Sequence, residues 1–263
     1  MLRAAAAFAG LTLRSLASGK RAPAAAILLL LPAVLALLAA TLGRKAEAAT
    51  VFHHVVFHYS LGFMVYLLSI VYGIALSSGE IEDGTVGYLY LGRLPRWLIV
   101  GVQAGVTALA LTGLVFLSLL LTALASGLAP GEGPRLWRDV GACTLVAGTG
   151  ILVALPFYMA CGLVFRTPIG AVASALVPTL FWELLVTGWP IQFAAWTVTN
   201  NLRGLLLVLL FDGRPGPLYK YVKNFRIPGY EEASIYLSVL AGLFLVLAMA
   251  AASARSIEGK EAR

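Results

Sequence analysis

The sequence predicts an all-α integral membrane protein with six transmembrane helices, an N-terminal interfacial amphipathic helix and a re-entrant-like segment before the last span. Three observations carry that fold class. Of 263 residues, 60% are hydrophobic and 12% charged, with a mean hydropathy of +0.90; soluble domains hold roughly 45–50% apolar and ~25% charged residues. The apolar residues are gathered into continuous runs of the roughly 20 residues that a spanning helix needs. The runs do not alternate in ten-residue segments, as spanning strands would. A soluble core could not absorb such an apolar excess. The composition therefore excludes an ordinary cytosolic enzyme, a disordered chain and a disulfide-stapled secreted domain.

Residues 1–22 place Arg3, Gly10, Arg14 and Arg21 along one line of a helical wheel, with Leu2, Phe8, Leu13 and Leu16 on the far side. That is a basic amphipathic helix lying in the interface. A signal peptide is the competing reading. The apolar run from Ala24 is long for one, and no small-residue cleavage site follows before Arg44 and Lys45. The spans are expected at 24–42, 51–76, 97–124, 140–165, 169–189 and 235–254. Pro32, Pro156 and Pro178 fall inside them and suggest kinks whose freed carbonyls neighbouring helices satisfy. Gly101 and Gly105 form a small-xxx-small pair that would permit close helix contact.

The longest stretch between spans, 190–234, is far below the roughly 100 residues of a kinase, sensor or ATPase domain. No GxxxxGK[ST] phosphate loop occurs, so energy from a nucleotide must come from another chain. The whole chain, 1–263, reads as one transmembrane domain. Within 190–234, Leu202 and the run from Leu205 to Phe211 form an apolar patch interrupted by Arg203 and Gly204. It is too short to cross a bilayer and reads as a re-entrant or interfacial helix. A turn follows at Asp212-Gly-Arg-Pro-Gly-Pro. Tyr219, Lys220, Tyr221, Lys223 and Phe225 then make an aromatic-belt segment.

The formal charge of +7 sits at the ends of apolar runs, where it meets lipid headgroups rather than nucleic acid. With both termini on one side, segments on that side carry ten Lys and Arg against nine on the other, which orients nothing. Cys143 and Cys161 show neither pair nor metal spacing.

The segment 77–96, between the second and third spans, concentrates the chemistry. Three acids, Glu80, Glu82 and Asp83, close the second span; Gly84-Thr85 makes a turn; Val86 to Leu91 is short and amphipathic; Arg93-Leu-Pro95-Arg96 leads into the third span. An acidic start and basic exit agree with the dipole of a short helix along the membrane face. In Glu80-Ile-Glu82-Asp83-Gly84-Thr85 and Leu94-Pro95-Arg96 the sequence resembles the permease subunits of type-2, exporter-type ABC transporters. Those permeases follow an acidic pair with Gly-Thr, a Leu-rich stretch and Pro-x-Arg at the third span, and share the six-span plan. The resemblance implies a cytoplasmic coupling loop at 77–96 that docks on a separate ATP-binding subunit through Glu80, Glu82, Asp83, Gly84, Thr85, Pro95 and Arg96. It further implies two copies of that ATPase carrying ATP and Mg, and a second permease chain making a homodimer or heterodimer. The chain would sit in the cytoplasmic membrane with both termini cytoplasmic and 190–234 outside. It would be no enzyme and hold no cofactor of its own. The Arg166-Thr-Pro turn resembles a minor inner contact of the same family.

Two other features invite chemistry. His53, His54 and His58 cluster at the start of the second span, and His54 and His58 share a helix face at i, i+4, a spacing that can bind Zn²⁺ or Cu²⁺. Polar packing or headgroup contact is the plainer reading. Glu183 is the sole acid deep in a span; against lipid it would cost roughly 2.5–3.5 kcal/mol, so it faces the bundle interior, an interface or a watery cavity. Gln103, Asn200 and Asn201 are polar at smaller cost. The alternatives to the permease are thus a metal- or haem-handling protein built on the histidines, or a secondary transporter coupling protons through Glu183. No internal repeat supports the latter. An apolar pathway with one acid suits an amphipathic or cationic cargo.

Overall fold

The computed structural model describes residues 10–14, 22–42, 48–82, 96–127, 133–165, 167–185, 196–211 and 228–261. Among these there is no strand, and the chain forms seven main helices. They are α1 (Ala22–Leu42), α2 (Ala48–Val55, then π-helical Val56–Met64, then Val65–Glu82), α3 (Arg96–Ala125) and α4 (Gly133–Val164). They continue with α5 (Pro168–Leu180, then π-helical Phe181–Leu185), α6 (Val198–Phe211) and α7 (Tyr230–Glu261). Residues 10–14 are also helical, with Leu11 and Leu13 exposed and Thr12 buried; the rest of the expected interfacial helix lies outside the described residues.

Five helices, α1, α2, α3, α4 and α7, are long and apolar enough to cross a membrane. α5 and α6 are not: their 13 and 14 α-helical residues fall short of about 20. The all-helical membrane class expected from composition is therefore met, by five long helices and two short ones. α4 is the hub and packs against α2, α3, α5, α6 and α7. The apolar windows of α2 and α4 are 78% and 72% buried against 17% for α1 and α7, so the latter two present their Leu and Val side chains to lipid or to another chain.

Small residues set the α2–α4 contact. A Cβ on Gly73 would lie 2.9 Å from that of Tyr158 and 3.1 Å from the Leu155 carbonyl; one on Gly162 would lie 3.1 Å from the Ile74 carbonyl. Only glycine admits such an approach. The expected pair on α3 plays no such part: a Cβ on Gly105 meets nothing within 4 Å, and one on Gly101 makes ordinary contact with Met249 at 3.5 Å. The buried face of α3 is instead Ala104, Ala108, Leu111, Val115 and Leu119, which leaves both glycines beside it.

The prolines sit inside α1, α4 and α5, and each helix runs through. Pro32 lacks the N–H that would reach the Leu28 carbonyl. Tyr59 donates its hydroxyl to that carbonyl at 3.2 Å, and Ser118 donates to the carbonyl of Leu29. α2 thus supplies the donor that the proline removed, and α3 adds a bond at the next carbonyl.

Two boundaries move. α4 starts at Gly133 rather than near 140, and Asp139, 1% exposed, is held inside the bundle by contacts with His53 and Arg138. α7 starts at Tyr230 rather than 235, with Glu231 and Glu232 in its first turn, where the helix dipole favours acids.

Cross-contacts give the order of levels along α2. His53 meets Asp139 near the Ala48 end, and Gly162 meets Ile74 toward the Glu82 end. α5 starts beside the end of α4, with Thr167 as N-cap accepting from the Gly170 N–H at 3.2 Å and Pro168 at N1. It climbs past Tyr158, whose hydroxyl lies 2.8 Å from Thr179 Oγ1, to the middle of α2. α6 begins there, with Thr199 Oγ1 3.0 Å from the Tyr66 hydroxyl, and ends with Phe211 edge-on to His53 at 5.4 Å. A continuous fifth span was expected over 169–189; α5 is helical to Leu185, at the level of the middle of α2, and 186–195 lie outside the described residues.

Candidate functional site

The start of α6 is buried, and its first N–H groups have no intrahelical acceptor. Glu183, from the π-helical end of α5, fills that need: Oε1 accepts from the Val198 N–H at 2.9 Å and Oε2 from the Thr199 N–H at 3.0 Å. Thr197 Oγ1 takes the Asn200 N–H at 3.3 Å, and Asn201 Nδ2 donates to the Thr197 carbonyl at 2.8 Å. A carboxylate at this end also meets the positive pole of the helix dipole. The Trp182 indole N–H donates to the Trp196 carbonyl at 2.9 Å, and the Tyr236 hydroxyl donates to the same carbonyl. The junction is thereby tied to α7 as well.

Less than two turns further along α6 stands Arg203, half-buried. Its Nε donates to the Phe57 carbonyl at 3.3 Å, and its Cζ lies 4.6 Å from the centre of the Phe57 ring, close enough for a cation–π contact. Nη2 would sit 3.7 Å from a Cβ on Gly62. The carbonyl, the ring and the glycine all belong to the π-helical stretch of α2; π-helical turns are rare and concentrate at functional sites. Among the described residues no carboxylate lies within ion-pair distance of Arg203; the ion pairs that occur there join Asp139 to His53 and Arg138.

Between these elements lies a cavity of about 220 Å³. Its polar wall is made by His58 and Tyr66 from α2, Thr179 and Glu183 from α5, and Thr199 and Arg203 from α6. Its apolar wall includes Leu67, Ile70 and Leu176. Phe63 and Leu180 frame it and are 48% and 47% exposed, so it opens on the apolar flank of the bundle. Both π-helical segments contribute to the lining. A separate groove of about 390 Å³, with Leu13, Ala25, Leu29 and Tyr72 among its walls, is lined by no ionisable group other than that phenol. A guanidinium, a carboxylate and several hydroxyl-bearing side chains thus line one cavity beside the middle of α2.

The histidines divide. His53 turns inward, Nε2 lying 3.0 Å from Asp139 Oδ2, while Arg138 Nε donates to Oδ1 of the same acid at 3.3 Å. His54 and His58 do share a face, with ring centres 4.5 Å apart. Among the described residues no three His, Cys, Asp or Glu side chains are grouped so as to hold a metal ion. Gln103 is buried on α3, and Cys143 and Cys161 are free thiols.

Of the expected docking residues, Glu80 and Glu82 belong to the last turn of α2 and Arg96 opens α3. Asp83, Gly84, Thr85 and Pro95 lie outside the described residues, as do Arg166 and the segment from Tyr219 to Phe225. Glu183 was singled out from sequence; Arg203, Tyr66 and Asp139 were not. The signal for Arg203 was present, since a lone cation inside an apolar run is itself costly, but its run was too short to count as a span. No protein-family model matches the chain, and no curated protein matches it.

Proposed function

We propose that this chain is the membrane-spanning permease subunit of an ATP-driven ABC exporter. It would work as a homodimer or heterodimer above two copies of a separate ATPase that binds ATP and Mg. The observation that carries a transport reading is the Arg203–Glu183 cavity at half-depth of the bundle, walled by two π-helical segments. Ionisable groups are retained in such a position where they face a pathway rather than lipid. The ABC assignment rests on the resemblance of the Glu80–Arg96 segment, which joins α2 to α3. In this reading α5 and α6 together complete a sixth crossing, the α2–α3 segment and both termini are cytoplasmic, and closure of the ATPases moves α2 against α5 and α6. Broken helices meeting near the midplane around a binding site are a recurrent transporter device. The metal- or haem-handling alternative has less support, because His53 is engaged by Asp139 rather than turned toward His54 and His58.

The test is reconstitution with an ABC ATPase encoded beside this chain. Co-purification and ATP-dependent transport should occur with the native chain. Both should be lost when Glu80, Glu82 and Asp83 are changed together to Ala. Stable assembly and undiminished transport by that triple variant would overturn the docking assignment.

A further inference from the structure

The cavity raises a question of charge, because both an acid and a base line it. Glu183 lines it, yet both carboxylate oxygens already accept backbone N–H groups of α6. Both oxygens are thus directed at the helix start, although the charge also acts on Arg203 and Tyr66. Arg203 is the opposite case. Among the described residues its one hydrogen bond is from Nε to the Phe57 carbonyl, the ring beneath covers one face of the guanidinium, and its charge is felt by Glu183 and Tyr66. Nη2 lies 3.7 Å from where a Cβ on Gly62 would stand, and Arg203 and Gly62 both line the cavity. A guanidinium offers five donors in a fixed fork that matches a carboxylate or phosphate, and such charge-assisted bonds are the strong ones. The hydroxyls of Thr179, Thr199 and Tyr66 line the same wall. The opposite wall is Leu67, Ile70 and Leu176, leading out between Phe63 and Leu180.

We infer that the cavity binds an amphiphile with an oxyanion head on an alkyl chain: Arg203 holds the carboxylate or phosphate, and the chain leaves between Phe63 and Leu180. The size agrees. At about 220 Å³ the cavity exceeds the ~150 Å³ void that accepts benzene but falls below the roughly 300–1,000 Å³ of a site that encloses a whole drug-sized ligand. It therefore takes the head and the first several methylenes, and the exposed apolar flank takes the rest. Of the amphipathic or cationic cargo that the sequence suggests, this proposal takes the amphipathic one. As a statement about cargo this rests on the transport reading, whereas binding itself belongs to the chain alone.

The experiment uses the full-length chain in phosphatidylcholine nanodiscs without any ATPase, with cis-parinaric acid as fluorescent probe. One saturable site per chain is expected. Dodecanoic acid and monododecyl phosphate should displace the probe, and their relative strengths distinguish a carboxylate from a phosphate head. Dodecanol, dodecyltrimethylammonium and inorganic phosphate should leave it bound at ten times the concentration. Arg203→Gln should weaken binding about tenfold or more, the scale of a lost charge-assisted bond, and Arg203→Lys should recover part of it. Leu67→Trp, which fills the apolar wall while leaving Arg203 in place, should abolish binding in a chain of unchanged helix content and melting temperature. Equal displacement by the ammonium amphiphile, displacement by phosphate alone, or unaltered affinity in both Arg203→Gln and Leu67→Trp would each overturn the assignment. Absence of probe binding by a chain that still assembles with its ATPase would sink the oxyanion site and spare the permease reading. Saturable binding by a chain that recruits no ATPase would do the reverse.

Discussion

Glu183 shows how one acid can be tolerated in the middle of an apolar bundle. Its two oxygens close the exposed start of α6 at 2.9 and 3.0 Å, so the residue satisfies two donors that would otherwise be buried alone. Glu183→Ala should cost about 1–3 kcal/mol for the N–H groups left without acceptors, read as a lower melting temperature in detergent. Glu183→Gln retains one amide oxygen and should lose only about half as much, since it forfeits the charge–dipole contact but keeps an acceptor. If Ala and Gln variants melt with the native chain, the capping role is wrong. The sequence made Glu183 conspicuous, because an acid in an apolar run is expensive wherever it points. Its partners were not legible, since Val198 and Thr199 contribute main-chain atoms and any residues there would have served.

At the scale of the helix, irregularity is compensated by a neighbour. Pro32 frees the Leu28 carbonyl, and Tyr59 in the π-helical stretch of α2 donates to it at 3.2 Å. The same stretch offers the Phe57 carbonyl to Arg203. Tyr59→Phe should therefore destabilise the α1–α2 contact by about 0.6 kcal/mol and at most about 1.7, the measured range for interhelical hydrogen bonds in membranes. Restoring the missing donor by Pro32→Ala in the same chain should erase the difference between Tyr and Phe at position 59, and a persisting difference would show that the hydroxyl acts elsewhere. The proline signal was readable, and the rule that other helices repair it holds at Pro32. What could not be read was which helix does so, because that depends on packing between segments far apart in sequence. Long apolar runs gave the positions of α1, α2, α3 and α7 to within a few residues, since hydropathy is local. They misplaced the start of α4, because Asp139 looks like a boundary until His53 stands beside it.

At the scale of the whole molecule, the number of crossings decides which compartments the termini share, and local hydropathy fails at this point. Neither α5 nor α6 is long enough to count as a span, yet the bonds around Trp196 and Glu183 start α6 at the level where α5 ends its described course. The contact of Phe211 with His53 then places its far end beside the Ala48 end of α2. A fourteen-residue helix covers roughly 21 Å at 1.5 Å per residue, short of a crossing of about 30 Å, so on the proposed reading α6 crosses only together with α5. On the proposed reading, in which α5 and α6 share one crossing, the five long helices bring the count to six, an even number. The N- and C-termini should then lie on the same side of the membrane, with Arg44 and Lys45 opposite them. Reporter fusions at each terminus, combined with impermeant thiol labelling of Arg44→Cys in a chain whose Cys143 and Cys161 are replaced by Ala, measure this directly. Termini on one side and position 44 on the other are expected. If α5 instead turned back within the membrane and α6 followed it, the count would be odd and the two termini would report opposite sides. That result would also remove the arrangement in which α2 can move against a broken helix around Arg203, because the two halves would no longer bridge the compartments.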